Sequence, residues 1–244
     1  GLKQAPRAWY DKLHNALHSL GFTGSQSDHS LFVKRSPSLV FILVYVDDIL
    51  VTGPSSATCQ EVITQLNALF PIKDLGALHS FLGIEVKRSS SGFFISQTKY
   101  ILDLLTKAKI EGHKPCSTPL STTKIDHSSL LLENVIKYRS LVEALQYLTW
   151  TRPDLSFTVN LVCQFMYSPR VSHMQAVKCI LKYLKGSIDL GSWFSKCSTA
   201  SSIQAFSNAD LASCSLDERS TGGYYIFFGN SLISWSAKKQ PTVA

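Results

Sequence analysis

A chain of 244 residues, 45% of them hydrophobic, is long enough to bury a sizeable core in one large domain or in two to three small ones, and its composition excludes a disordered chain. Lysine and arginine number 24 against 17 aspartates and glutamates, which gives a net charge of +7. This basic excess fits a polyanionic partner, nucleic acid first, and it fits a merely soluble basic protein equally well.

Hydrophobic periodicity and turn residues predict alternating helices and hairpins in the first half of the chain. In chain order we expect a helix at about 6–20, strands at 30–34, 40–46 and 49–52, a helix at 57–70, a turn in FPIKDLG, a hairpin formed by FLGIEVKR and FFISQ, and a helix at about 97–109. Pro6 suits the first turn of a helix. Ser96 is expected to cap the last helix, from which Lys99, Lys107 and Lys109 project.

The second half begins with a polar segment rich in Ser, Thr and Pro, so we expect 111–136 to be a linker at a domain boundary. Helices are predicted beyond it at about 137–150, 153–166 and 172–184, with scaffolding as their favoured role. IQAFSN, GGYYIFF and SLISWSA then predict strands, with a turn at Gly229 and Asn230 between the last two.

Asp47 and Asp48 interrupt the apolar stretch FILVYVDDILV, where carboxylates are rare unless they are paired or bound. Two carboxylates at a hairpin tip suit Mg²⁺, which prefers oxygen ligands and is often shared with substrate phosphates. P-loop ATPases also end an apolar strand in Asp-Asp, but their G-x-x-x-x-G-K-[ST] motif is absent. An ordinary exposed turn stays open, and these eleven residues alone slightly favour it.

The sequence lacks the signatures of a disulfide framework, a zinc site, a membrane span and a signal peptide. Six cysteines without a C-x-x-C pair indicate buried free thiols in a reducing compartment. His14 and His18 lack the adjoining Glu of a zinc protease, so we expect surface histidines. No segment approaches the roughly 20 apolar residues of a membrane span, and GLKQAPRAWY lacks the core of a signal peptide. We therefore expect a cytoplasmic or nuclear protein with no membrane partner, beginning inside a longer chain.

YVDD at 45–48 is similar to the catalytic hairpin of reverse transcriptases, and its surroundings resemble the pol polyprotein of copia-type LTR retrotransposons. The blocks that carry the resemblance, in the family's order, are GLKQAPRAWYDKL, LVYVDDILVTG, FPIKDLGALHSFLGIEV, SQTKYILDLL, YRSLVEALQYLTWTRPDLSF and STGGYYIFFGNSLISWSAKKQPTVA. The resemblance covers nearly the whole chain, with 111–134 as its weak part. It is specific because independent blocks agree.

The resemblance implies a role for particular positions. Asp47 and Asp48 would be the catalytic palm carboxylates that hold Mg²⁺, with Asp47 the stronger ligand. Residues expected near the template and the incoming nucleotide are Gly1, Lys3, Gln4 and Pro6, with Lys73 near the triphosphate as a candidate general acid, and the expected primer grip is Phe81, Leu82, Gly83, Ile84, Glu85 and Val86. The plain alternative for Lys3 and Gln4 is a solvated helix start. For Lys73 it is an exposed turn lysine, and for the primer-grip residues it is ordinary core packing.

The resemblance also implies a thumb in the helix after Gln97, where Lys99 and Lys107 would touch phosphates, although exposed lysines are common. The helices at 137–186 would be the connection, and the last strands would begin a ribonuclease H domain. That domain departs from the family's S-D-A-D-W-A-G, because Asn208 replaces the first metal-binding Asp and only Asp210 survives. An amide is a poor substitute for a carboxylate that bridges cations.

Further departures from the family are Glu143 for Gly, Leu211 for Trp and Glu218 for Arg. The third polymerase aspartate of the family would precede Gly1 and the next ribonuclease H glutamate would follow Ala244. We therefore expect an incomplete copy that does not polymerise alone. A non-catalytic nucleic-acid-binding remnant is the alternative from another class, and an inert pseudogene product is a third.

The expected fold is α+β: a partial right-hand polymerase palm with thumb, a helical connection and a truncated ribonuclease H-like sheet. The expected domains are a palm and thumb at 1–110, a linker at 111–136, a connection at 137–190 and the ribonuclease H-like part at 191–244. The expected function is RNA-directed DNA polymerisation. The implied partners are an RNA or DNA template with primer, dNTPs and other pol segments, with Mg²⁺ as cofactor.

Overall fold

In the computed structural model, the chain forms two compact units, Gly1–Leu78 and His79–Ala244. The structure describes residues 4–120, 125–126, 128–196, 202–211 and 217–242. Within these residues, helices are combined with three separate antiparallel sheets, so the expected mixture of helix and antiparallel strand is confirmed. None of the helices in the described part of the chain has the length and apolar character that crossing a bilayer demands.

From residue 4 onward, where the structure describes it, the first unit is a four-stranded antiparallel sheet with two helices. Its elements are α1 (Ala5–Ser19), β1 (Thr23–Gly24), β2 (Leu31–Lys34), β3 (Val40–Tyr45), β4 (Asp48–Thr52) and α2 (Ser56–Leu69), and the strands lie in the order β1-β2-β3-β4. Burial alternates along β3, where Val40, Ile42 and Val44 point into the core. Leu17 of α1 and Leu66 of α2 join the same core, so both helices stabilise the strand that leads to Asp47.

The described part of the second unit contains two sheets and a group of helices. In chain order it has β5 (Ser80–Phe81), β6 (Ile84–Ser89), β7 (Gly92–Ser96), α3 (Thr98–Ala108), α4 (Val135–Leu148), a 3-10 turn (Pro153–Leu155), α5 (Ser156–Cys163), α6 (Val171–Lys185), β8 (Ser192–Ser195), β9 (Ile203–Ala209), β10 (Thr221–Phe228) and β11 (Ser231–Lys239). One sheet has the order β5-β6-β7-β8 and the other β9-β10-β11. The predicted helices and C-terminal strands are present, whereas β8 was not predicted.

Helices α3 to α6 share one hydrophobic core. Ile101 of α3, Leu145 of α4, Val159 of α5 and Val177 of α6 are all buried in it. The Tyr138 hydroxyl, also buried there, donates a hydrogen bond of 2.7 Å to the carbonyl of Val162. The helix expected to be a thumb therefore packs with the helices expected to be a connection.

The predicted linker at 111–136 lies along this helical core in its described parts. The amide of Cys116 donates to the carbonyl of Lys182 on α6, and the Lys185 ammonium donates to the carbonyl of His113. Ile125 and Leu132 pack against the core. The four expected domain ranges stay predictions, since functional domains and compact units need not coincide.

The expected cap of α3 is wrong. Its N-cap is Gln97, which makes no capping bond with its own side chain, and Ser96 is buried on the end of β7. A carboxylate oxygen of Glu85 on β6 instead accepts a hydrogen bond of 2.8 Å from the amide of Lys99. The unpaired amides at a helix start can be satisfied by any acceptor in reach, and here a neighbouring strand supplies it.

The free thiols are confirmed for Cys59, Cys116, Cys163 and Cys179, which are half-buried, while Cys197 and Cys214 lie outside the described residues. The surface assignment holds for His18 but is wrong for His14. The His14 ring is half-buried and lies edge-on to the core residue Phe32, with 5.6 Å between the ring centroids.

Candidate active site

The candidate catalytic hairpin is formed by β3 and β4. Tyr45 pairs with Asp48, so the two-residue turn is Val46 and Asp47, and Asp48 is already the first residue of β4. The expected turn through Asp47 and Asp48 is therefore corrected by one residue. Val46 has a φ of 50°, a left-handed conformation that two-residue hairpin turns favour but that a β-branched residue rarely adopts.

Both candidate carboxylates are exposed at the hairpin tip. The stretch around them is apolar because β3 sends Val40, Ile42 and Val44 into the core, whereas the tip itself projects from it. The ion pairs of the described residues all lie in the second unit, so neither Asp47 nor Asp48 is neutralised by one of them. The two adjacent carboxylates are therefore held at the tip of the β3–β4 hairpin, whose β3 strand is packed into the core.

The chemistry of this donor set fits a magnesium ion. Within the described residues, no group of three or more His, Cys, Asp or Glu side chains could hold a metal ion. Mg²⁺ does not demand such a cage, because it is commonly held by one or two carboxylates together with substrate phosphates and water. The exposed pair is suited to a cation that arrives with its substrate.

The other expected nucleotide contacts in the first unit are only partly described. Gly1 and Lys3 lie outside the described residues, whereas Gln4 is the exposed N-cap of α1, with no capping bond from its side chain. Lys73 is exposed in the segment between α2 and β5. The next residue, Asp74, shapes this segment, since its carboxylate accepts a hydrogen bond of 2.8 Å from the amide of Gly76.

The expected primer-grip residues form a tight hairpin between β5 and β6. Phe81 pairs with Ile84 across Leu82 and Gly83, whose φ angles are 51° and 73°. Both central residues are left-handed, as in a type I′ turn. The hydroxyl of Tyr147 on α4 donates to the carbonyl of Leu82 and fixes the turn on the helical core. No local sequence signal identified Tyr147, because its partner is distant in the chain.

The two expected thumb lysines differ in their surroundings. The ammonium of Lys107 donates a hydrogen bond of 2.9 Å to the hydroxyl of Ser140 on α4, which ties it to the helical core. Lys99 is exposed at the start of α3. Of the two, Lys99 is the more accessible to a phosphate.

Asn208 and Asp210 lie at one end of the β9–β10 pairing and line a cleft of about 230 Å³ together with Thr221 and Gly222. The Asp210 carboxylate accepts a hydrogen bond of 3.0 Å from the Thr221 amide, and the Asp210 amide donates to the Thr221 carbonyl. Asp210 thus extends the hydrogen bonding between β9 and β10 by one residue at this end of the sheet. The departures Glu143, Leu211 and Glu218 are all exposed.

Comparison with known proteins identifies relatives over the whole chain. The family described as "Reverse transcriptase (RNA-dependent DNA polymerase)" matches residues 1–122. The chain is 46% identical over its full length to the "Retrovirus-related Pol polyprotein from transposon RE1" and 45% identical to that from transposon RE2, both of Arabidopsis thaliana, and it spans 17% of each polyprotein. It is also 45% identical, over 84% of its length and 85% of the relative's, to the "Uncharacterized mitochondrial protein AtMg00810" of the same plant. No solved structure matches the chain.

Proposed function

This chain belongs to the reverse transcriptase family, as the reverse transcriptase region of a copia-type retrotransposon Pol polyprotein, and from this premise we propose that Asp47 and Asp48 are catalytic carboxylates for template-directed DNA synthesis. The observation that carries the proposal is the exposed carboxylate pair on a packed hairpin, which makes no ion pair with another described residue. Reverse transcriptases generally use a divalent metal, and this pair is where the chain would hold Mg²⁺.

In the proposed reaction the protein positions charge and has little covalent chemistry to do. Bound Mg²⁺ would supply Lewis-acid stabilisation of the phosphoryl oxygens. Asp47 and Asp48 would hold it beside the primer end, and the buried side of β3 would keep them from moving. Removing either carboxylate would leave a single charged oxygen donor group from this pair and weaken its hold on the ion.

The finer architecture is part of the same proposal. The first unit would supply the palm hairpin, 81–85 the primer grip, α3 the thumb, α4 to α6 the connection, and β9 to β11 a ribonuclease H-like sheet. Gly1, Lys3, Gln4 and Lys73 would contact the template or the incoming dNTP. An RNA or DNA template with its primer and other Pol segments would be the partners.

The ribonuclease H-like sheet would not hold metal. Asn208 offers a neutral amide where the family has a carboxylate, and Asp210 already accepts the Thr221 amide at the end of the sheet. The comparisons favour the reverse transcriptase region over the non-catalytic remnant as the origin of the chain.

The metal site is tested by titrating the isotope-labelled chain with Mn²⁺ and following paramagnetic broadening of its amide NMR signals. We expect selective broadening at residues 45–49, and we expect Asp47→Asn to abolish it. Asp11→Asn is the matched control, because Asp11 is an exposed aspartate on α1 of the same unit. Equal broadening in wild type and Asp47→Asn would refute the metal site.

A further inference from the structure

The β5–β8 sheet is buried at one end and exposed at the other. Ser96 and Ser192, where β7 and β8 meet the helices, are buried. Toward the opposite end, Lys87 and Arg88 on β6, Phe93 on β7 and Trp193 on β8 are exposed. Residues 87–94 and 193–196, here called the aromatic ribbon, therefore project from the helical core.

One face of the aromatic ribbon carries a row of three residues. Arg88 pairs with Phe93, and Phe93 pairs with Phe194, so all three side chains leave the same face of the sheet. The Phe93 and Phe194 rings are stacked, with centroids 4.9 Å apart and planes within 10°. Phe93 is 40% exposed although its ring is large and apolar.

The backbone holds this ring pair in register. A Cβ at Gly92 would collide with the carbonyl of Phe194, so the glycine allows β7 and β8 to approach closely beside the rings. The close approach of the two strands places the two rings side by side on one surface.

The charge around the rings has one sign. Arg88 on the face of the rings and Lys196 just beyond the end of β8 supply two cations, and neither has a side-chain hydrogen bond or an ion pair to another described residue. Lys87 pairs with Phe94, so its side chain leaves the opposite face of the sheet. Glu85, the carboxylate of β6, lies at the far end of the strand and is engaged by the Lys99 amide. An anion approaching the ribbon therefore meets no neighbouring negative charge from its own strands.

An exposed aromatic ring beside unpaired cations is the combination that binds single-stranded nucleic acid, since bases stack on the ring while the cations contact phosphates. We propose that the aromatic ribbon binds a single strand of nucleic acid, with a base on Phe93 and a phosphate at Arg88. For the class of ligand this rests on the proposed function. The turn of the expected primer grip, Leu82 and Gly83, lies roughly 15–20 Å from Arg88 along the strand, whereas the end of the grip at Val86 adjoins the ribbon on β6.

The test is fluorescence anisotropy of labelled single-stranded 12-nucleotide oligouridylate and oligothymidylate with the purified chain. Phe93→Ala is expected to weaken binding by about fivefold or more, the usual loss for one stacked base. Arg88→Gln is expected to weaken binding and to lower the slope of log affinity against log salt by about 0.7, one single-strand phosphate contact.

Two matched controls show whether the loss is local. Tyr167→Ala removes an aromatic side chain that is 92% exposed, and Lys178→Gln removes an exposed cation of α6. Neither is expected to change affinity beyond twofold. Thermal melting of every variant separates loss of binding from loss of folding.

The inference is overturned if folded Phe93→Ala binds like Tyr167→Ala, or if a duplex of equal length binds as tightly as the single strand and is equally sensitive to Phe93→Ala. Phe93→Ala distinguishes the two proposals. It is expected to lose single-strand binding while keeping the Mn²⁺ signal at residues 45–49, so either can fail without the other.

Discussion

Arg152 is a fully buried cation, and the residues around it explain how the fold tolerates one. Its guanidinium makes two hydrogen bonds to the Asp154 carboxylate, at 2.9 and 2.8 Å, and two more to the carbonyl and hydroxyl of Ser187. A buried charge is stable only when it is paired and hydrogen-bonded in this way. This arrangement ties the loop after α4 to the end of α6.

Arg152→Met is expected to lower the free energy of unfolding by about 3 kcal/mol, because it leaves Asp154 and Ser187 without their partner. Urea unfolding followed by circular dichroism measures the change. Arg139→Met is a comparison variant at an exposed arginine of α4, where a smaller loss is expected. Equal losses in the two variants would contradict the structural role of Arg152.

The lowered pKa of the Asp154 carboxyl makes the free energy of unfolding depend on pH. Burial by itself would raise its pKa, but the hydrogen bonds and charge of Arg152, with the Tyr183 hydroxyl, hold the pKa below the ordinary 3.8. A lowered pKa in the folded state contributes stability that is present above about pH 4 and is lost as the pH falls further. Unfolding free energies measured from about pH 2 to pH 6 should fall less steeply in Asp154→Asn than in wild type. Parallel curves would count against this assignment.

Position 83 needs a glycine because of its backbone conformation, and a Cβ there would meet no steric clash. Its φ is 73°, and a Cβ there would lie 3.7 Å from the Tyr147 hydroxyl oxygen, an ordinary contact. Gly83→Ala is therefore expected to cost about 1 kcal/mol of stability from backbone strain alone. Gly112→Ala is the matched control, since nothing lies within 4 Å of a Cβ there. A neutral Gly83→Ala in thermal unfolding would contradict the left-handed turn.

At the scale of elements, the start of α3 depends on a residue outside the helix. Because Glu85 accepts the Lys99 amide, Glu85→Ala is expected to cost about 1 kcal/mol and to speed amide exchange at 98–101. Glu85→Gln keeps an acceptor oxygen and should cost less. Hydrogen exchange read by mass spectrometry tests both variants, and identical exchange in Glu85→Ala and wild type would exclude the cap.

Local sequence patterns predicted most of the helices and strands. Where those predictions were wrong, contacts between distant parts of the chain give the reason. The α3 helix follows from its periodicity, but its cap comes from a strand fourteen residues earlier, so Ser96 was the wrong choice. Strand β8 is four residues long and pairs with β7, whose residues lie 97 to 103 positions earlier, so local sequence does not indicate it. The 111–136 segment has the composition of a loop, and only its contacts with α6 reveal where it lies.

At the scale of the whole molecule, the two units have separate cores. Leu17 and Leu66 belong to the first, and Leu145 and Val177 to the second. Leu17→Ala and Leu145→Ala should each cost about 2 to 5 kcal/mol. Amide exchange should rise across 5–78 in Leu17→Ala and across 80–195 in Leu145→Ala. A uniform rise over the whole chain in either variant would show that the units unfold together.

The sequence alone was enough to choose Asp47 and Asp48 as candidate site residues, but not to predict the conformation of the turn that carries them. Asp47 and Asp48 stand out because carboxylates interrupt a buried strand, and the YVDD context makes the family evident. The left-handed Val46 and the one-residue shift of the turn depend on strand register, which hydrophobic pattern does not resolve. The aromatic ribbon was missed for the same reason, since its row joins residues of three strands.

The central claim is that Asp47 and Asp48 are catalytic carboxylates of a template-directed polymerase. It is tested most directly by primer extension on an RNA template, with Mg²⁺ and dNTPs, by the Pol polyprotein carrying this region. Asp47→Asn is expected to reduce the rate about 1000-fold or more, as for other members of a catalytic unit, while Asp11→Asn leaves it unchanged. Extension by Asp47→Asn at the wild-type rate would contradict the claim.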